Sequence, residues 1–210
     1  DRVRPRFCIL NLNLDSYPIS RMASSKRIII GLGNPGAEYE GTRHNVGFEV
    51  IDAIADRVNE SFKTNGQSKI AWGKWRGRPL GLAKPQTFMN RSGLAVEELV
   101  RKNNLDAQDI LVVVDDIHLP PGKVRIRQKG GTGGHNGLED IADWLDSNNF
   151  PRIRIGIGND FGRGQQADYV LSRFPEDERK IIDPVISHVR DAALSFVTDG
   201  IVTTMNRFNL

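Results

Sequence analysis

Four polar sites arise from separate loops: Asn34 with His44, then Asn90, Asp115 and Asn136. A neutral histidine deprotonates water near neutral pH. A carboxylate on its other nitrogen fixes the tautomer and stabilises the imidazolium that forms. Asparagine offers a donor and an acceptor without charge, which suits peptide-like amides and an ester carbonyl. The chain has no G-x-S-x-G elbow and no H-E-x-x-H motif, and its single cysteine, Cys8, lies in the N-terminal tail. Water is therefore the expected attacking group, with His44 as its base and Asp115 as the partner of His44. His44, His118, His135 and His188 are too scattered in sequence to argue for a shared metal site.

The chain is organised around Ile28-Ile29-Ile30-Gly31-Leu32-Gly33-Asn34-Pro35-Gly36, followed by Thr42-Arg43-His44-Asn45. Three consecutive isoleucines predict a strand buried on both faces, as in a parallel α/β sheet. The glycines after it let the backbone turn sharply and approach a ligand closely. Polar groups at the carboxyl end of such a strand sit where open α/β sheets bind ligands. The glycine pattern also fits G-x-G-x-x-G, but a dinucleotide site is disfavoured. Pro35 precedes the third glycine, and the acidic residues at the required distance, Asp52 and Asp56, fall within a helical pattern.

Val46, Val50, Ile51, Ile54, Ala55 and Val58 recur at helical spacing, so 46–59 reads as an amphipathic helix with Asn45 as its N-cap. Residues 69–75 and 79–83 read as a hairpin turning at Arg76-Gly77-Arg78, with Trp72 and Trp75 expected to pack rather than stack on a ligand. A polar loop carrying Asn90 leads to a helix over 93–103. Ile110 to Val114 is a second fully apolar strand, ending on Asp115-Asp116, where a carboxylate serves either function or capping. Lys123, Arg125 and Arg127 alternate with Val124 and Ile126, which puts three cations on one strand face, with Lys129 just beyond. A phosphate track is the functional reading of that face and a solvated edge the bland one. The glycine-dense loop from Gly130 to Gly137 opens a helix over 138–145 and offers backbone N–H groups to an anion or a carbonyl. A buried strand over 152–157, a loop at 158–166 that is a candidate lid, a long helix over 175–198 bent near Pro184, and a short last helix complete the pattern.

The sequence has 210 residues, 39% apolar and 26% charged, with a net charge of +3. That is ordinary for one globular domain with a full core, and a lone cysteine suits a reducing cytosol. Residues 1–21 carry +2 of the charge, so a nucleic-acid site must come from charge placement rather than from the total. Residues 1–25 are expected to be a loosely ordered extension, with 7–14 as a possible short strand. A targeting peptide is disfavoured by Asp1 and Asp15.

From about Lys26 to Leu210 the sequence resembles bacterial peptidyl-tRNA hydrolase. The motifs that carry the resemblance, in order, begin with Gly31-Leu32-Gly33-Asn34-Pro35-Gly36, Tyr39 and Thr42-Arg43-His44-Asn45. Thr87-Phe88-Met89-Asn90 with Ser92-Gly93 follows, then Asp115 before Leu119-Pro120-Pro121-Gly122. Gly133-Gly134-His135-Asn136-Gly137 and Arg154-Ile155-Gly156-Ile157-Gly158 complete the set. The resemblance implies a single α/β domain over 26–210 with a mixed, twisted central sheet surrounded by helices. It implies a cytoplasmic monomer, without metal or organic cofactor, that hydrolyses the ester between a peptide and tRNA, with the acceptor stem and 3′ end as partner. His44, Asp115 and Asn34 would be catalytic. Tyr39, Met89, Asn90, His135 and Asn136 would meet the substrate, and Lys123, Arg125, Arg127 and Arg154 the tRNA phosphates. His118 departs from the family's commoner aspartate, which alters the charge near Asp115. The alternative is a non-hydrolytic RNA-binding member of the same fold, like a plant chloroplast splicing factor.

Overall fold

The structure, a computed structural model, describes residues 26–209. The extension at 1–25, with the short strand expected at 7–14, lies outside the described residues.

Seven strands form one sheet: β1 (Arg27–Gly31), β2 (Lys63–Asn65), β3 (Ser68–Trp75), β4 (Arg78–Pro85), β5 (Ile110–Asp116), β6 (Val124–Arg127) and β7 (Arg152–Gly156), in the order β2-β3-β4-β1-β5-β7-β6. The centre, β4-β1-β5-β7, is parallel, and both edges are antiparallel. The sheet is therefore mixed, as expected. Ile28 and Ile30 face one apolar cluster and Ile29 the other, so the isoleucine run serves both faces. Helices α1 (Val46–Val58), α5 (Glu176–Asp199) and α6 (Ile201–Phe208) pack on the side of Ile29. Helices α2 (Ser92–Asn103) and α3 (Asn136–Leu145) pack on the other, and the short α4 (Gln166–Leu171) lies at the end of the sheet.

The expected hairpin forms on a two-residue turn in which Arg76 and Gly77 both have positive φ, 48° and 80°. That geometry matches the twist of the flanking strands. Trp75 packs against the core, whereas Trp72 is 39% exposed beneath the Lys26 ammonium. Helix α5 runs unbroken through Pro184. Asn45 occupies the N-cap position of α1 but makes no side-chain cap bond. None of the described helices is long and apolar enough to cross a membrane.

Candidate active site

Because β1, β4 and β5 run parallel, the segments that follow them emerge together at the carboxyl end of these strands. Asn34 follows β1, Met89 and Asn90 follow β4, and Asp115 ends β5. His44 arrives differently. It sits on a 3₁₀ turn, Arg43–Asn45, that leads directly into α1. The glycines expected to approach a ligand here approach that helix instead. A Cβ on Gly31 would lie 2.1 Å from the carbonyl oxygen of Gly47, and one on Gly47 would lie 2.5 Å from that of Leu32. Only paired glycines let the start of α1 rest on the end of β1, and this carries His44 to the carboxyl end of the central strands.

Asn45 explains why its capping role is given up. Its side chain accepts from the Asn34 backbone N–H at 2.8 Å and donates to the Asn34 carbonyl at 2.9 Å. Asn34 in turn accepts the Met89 backbone N–H on Oδ1 at 2.8 Å. The carbonyl half of the Asn34 amide is thus engaged, and the half left to act is Nδ2, a donor suited to an oxygen that gains charge.

His44 Nδ1 lies 2.8 Å from Asp115 Oδ1, and His135 Nε2 lies 3.2 Å from the same oxygen. The two rings are 5.1 Å apart between centroids. His135 Nδ1 accepts the Leu138 N–H and caps α3, so its proton is on Nε2, directed at Asp115. An ionised Asp115 accepts only, so the His44 proton is on Nδ1 and its Nε2 keeps a lone pair. Among the described residues no hydrogen-bond partner takes that nitrogen, and His44 lines the cleft. All three side chains are buried.

Burial alone would lower the His44 pKa, but the charge of Asp115 and its hydrogen bond outweigh it, and the ring titrates above the ordinary histidine value. Burial likewise pushes Asp115 up. The charges and hydrogen bonds of His44 and His135 reverse this and hold it well below the usual carboxylate range.

Two histidines far apart in sequence therefore share one carboxylate, a convergence their spacing does not reveal. Their ligating atoms and that of Asp115 lie within 4.8 Å of one another, the donor set of a metal site. The hydrogen bonding opposes that use. A metal on His135 Nε2 would leave a proton on Nδ1, facing the Leu138 N–H.

The site opens into a cleft of about 740 Å³, lined on its polar side by Asn34, His44, Asn90, Asp115, His135 and Asn136. Tyr39, Phe88, Met89, Val170 and Leu171 form its apolar side. Asn90 and Asn136 are exposed at the rim, and Met89 is buried. The α4 side of this wall escaped sequence reasoning, which read its start as the end of a loop.

The second carboxylate has a different task. Asp116 accepts the His118 N–H at 2.8 Å and Arg154 Nη1 at 3.0 Å, so of the Asp115-Asp116 pair one holds histidines and the other organises a turn. This changes the place of Arg154, grouped in sequence with the phosphate-binding cations. It is 8% exposed, and its Nη2 donates to the carbonyls of Gly131 and Thr132 at 2.7 and 2.9 Å. Arg152 holds the Gly130 and Gly131 carbonyls and is lowered to about 10 by burial and by the charge of Arg154. The carbonyls of the glycine-rich loop from Gly130 to Thr132 thus face inward onto β7. His118 Nε2 adds a bond to the Gly133 carbonyl at 3.2 Å. Arg125 and Arg127 do lie on the exposed face of β6, as the alternation predicts, and Lys123 is exposed just before the strand.

The family description "Peptidyl-tRNA hydrolase" matches residues 28–210. The chain belongs to the peptidyl-tRNA hydrolase family. The peptidyl-tRNA hydrolase of Salinibacter ruber is 46% identical over 188 residues, covering 90% of this chain and 100% of that one. That of Cytophaga hutchinsonii is 45% identical over 184 residues, covering 88% of this chain and 98% of its own. A crystal structure of peptidyl-tRNA hydrolase from Acinetobacter baumannii superposes with a TM-score of 0.83 at 35% identity, covering 88% of this chain and 94% of that one. The hydrolase fold and the buried His44–Asp115 pair thus occur together.

Proposed function

We propose that this chain hydrolyses the ester joining a peptide, or an N-blocked amino acid, to the terminal ribose of tRNA. The observation that carries the reading is the Nδ1–Asp115 bond of His44, which leaves Nε2 free at the cleft. In this scheme Nε2 takes a proton from water, and the hydroxide adds to the ester carbonyl. Asn34 Nδ2 donates to the resulting oxyanion. The tetrahedral intermediate then expels the ribose oxygen, which recovers the proton from the imidazolium. Asn90 and Asn136 hold backbone amides of the peptide at the rim, and Tyr39 and Met89 line the apolar side. His135 acts on the substrate only through Asp115. The scheme uses water and side chains alone, and acceptor-stem binding by a cytoplasmic monomer completes the reading.

The test is deacylation of N-acetyl-aminoacyl-tRNA by the purified protein. An inert protein that still binds RNA would replace this reading with that of a binding protein. Because only neutral His44 accepts a proton, kcat/KM should fall as pH drops through the raised pKa of His44, on the upper side of the ordinary histidine value. A pH profile showing this limb at or below the ordinary value would contradict the assignment.

Lys123, Arg125 and Arg127 are the proposed phosphate contacts, mostly to the tRNA backbone and so tolerant of sequence. Arg125→Ala or Arg127→Ala should weaken tRNA binding and reduce its salt slope by about one unit, with little change for a minimal ester substrate. Equal losses on both substrates would remove these cations from the phosphate track.

A further inference from the structure

We propose that Arg43 is a positioning residue that holds His44 in register with the cleft wall formed by α4. The inference rests on the reading of His44 as the base. The 3₁₀ turn that carries His44 is anchored on both flanks. On one flank Asn45 grips the backbone of Asn34. On the other is Arg43, 4% exposed, whose guanidinium reaches across to the segment from α4 to the start of α5.

Nη1 of Arg43 donates to Ser172 Oγ at 2.6 Å and to the Arg173 carbonyl at 2.8 Å, and Nη2 donates to Glu178 Oε2 at 2.9 Å. The guanidinium lies over the rings of Tyr169, at 4.3 Å, and Phe174, at 5.2 Å. The backbone follows the same path, since the Arg43 N–H donates to the Ser172 carbonyl and Thr42 pairs with Arg173. Tyr169 in turn donates its hydroxyl to the Ile157 carbonyl just beyond β7, at 2.6 Å. Gln166, Ala167, Val170 and Leu171 of this same α4 line the cleft.

One buried cation, next in the chain to His44, therefore joins the base to the surface the substrate lies against. Asp115 is fixed in the sheet, so the His44–Asp115 distance depends on where the 3₁₀ turn is held. A planar fork reaches a hydroxyl, a carbonyl and a carboxylate at once, and a lysine ammonium does not. With these acceptors engaged and the group buried, an anion-binding role for Arg43 is disfavoured.

Truncating Arg43 would open a void beside Tyr169 and Phe174, so the test acts first on the acceptors, whose loss leaves the cation on the Arg173 carbonyl and both rings. Ser172→Ala combined with Glu178→Ala is assayed on N-acetyl-aminoacyl-tRNA, with thermal stability measured separately. The expected result is a kcat lowered about tenfold or more, with KM nearly unchanged. The acidic limb of the kcat profile should also move to lower pH, because His44 loses alignment with Asp115. Arg43→Lys should share both changes. A double variant, or an Arg43→Lys variant, with the wild-type kcat and limb would overturn the proposal, whatever its melting temperature. Failure of the His44 reading itself is distinguishable, since it would show as retained activity in His44→Ala or as an inert wild type.

Discussion

His44→Ala is expected to lower kcat on N-acetyl-aminoacyl-tRNA by about a thousandfold or more, the loss of about 4 kcal/mol of transition-state stabilisation. The magnitude follows from the position of the ring. Asp115 is almost fully buried, and its Oδ1 is taken up by His44 and His135, so it is placed to hold the histidines and not to replace the base. The Nε2–H of His135 is directed at Asp115 while its Nδ1 caps α3, so it has no free lone pair to replace the base. Substrate binding should persist, because the asparagines, the apolar wall and the basic strand are untouched. The expected signature is a fall in kcat with KM nearly constant, read from steady-state deacylation. Activity within tenfold of wild type would remove His44 from the proton transfer.

The parts of this arrangement that sequence reveals are those where local chemistry decides. Ile28 to Ile30 and Ile110 to Val114 read as central strands because both faces of each are apolar, and both are central in the sheet. Their parallel pairing follows, and with it the convergence of Asn34 and Asp115. The three-residue β2, Lys-Thr-Asn, was not readable, since it is polar and exposed and owes its conformation to pairing with β3 alone. Asn45 misleads for a related reason. Its residue type favours a cap, but a tertiary partner, the Asn34 backbone, competes for the same amide. Arg154 shows what alternation omits. It lies opposite Arg125 in the strand register, yet Arg125 is exposed and Arg154 is buried, because the Gly130–Thr132 loop folds back over β7 and not over β6. Strand periodicity assigns a face, while a loop decides whether that face is covered.

Asp115→Asn provides the sharpest check on the buried pair, because it changes charge with little change of shape. The amide retains an oxygen for His44 Nδ1–H only if its NH₂ group is turned away from both rings. In the other orientation it faces the rings with a donor and forces His44 into the tautomer whose Nε2 carries the proton, so that no base remains. Even in the favourable orientation the imidazolium loses the carboxylate that stabilised it. A fall in kcat of about a thousand- to ten-thousandfold is expected, as where an aspartate that orients a catalytic histidine is made neutral. The sign of the accompanying titration separates this cause from general damage. With Asp115 ionised, its charge and hydrogen bond hold the His44 pKa above the ordinary value against burial. With asparagine in place, burial acts almost alone and the pKa should drop below that value. The residual activity should therefore persist to lower pH than in the wild type, even though its plateau is far lower. A variant whose rate falls while its acidic limb stays in place would show that Asp115 does not set the protonation of His44.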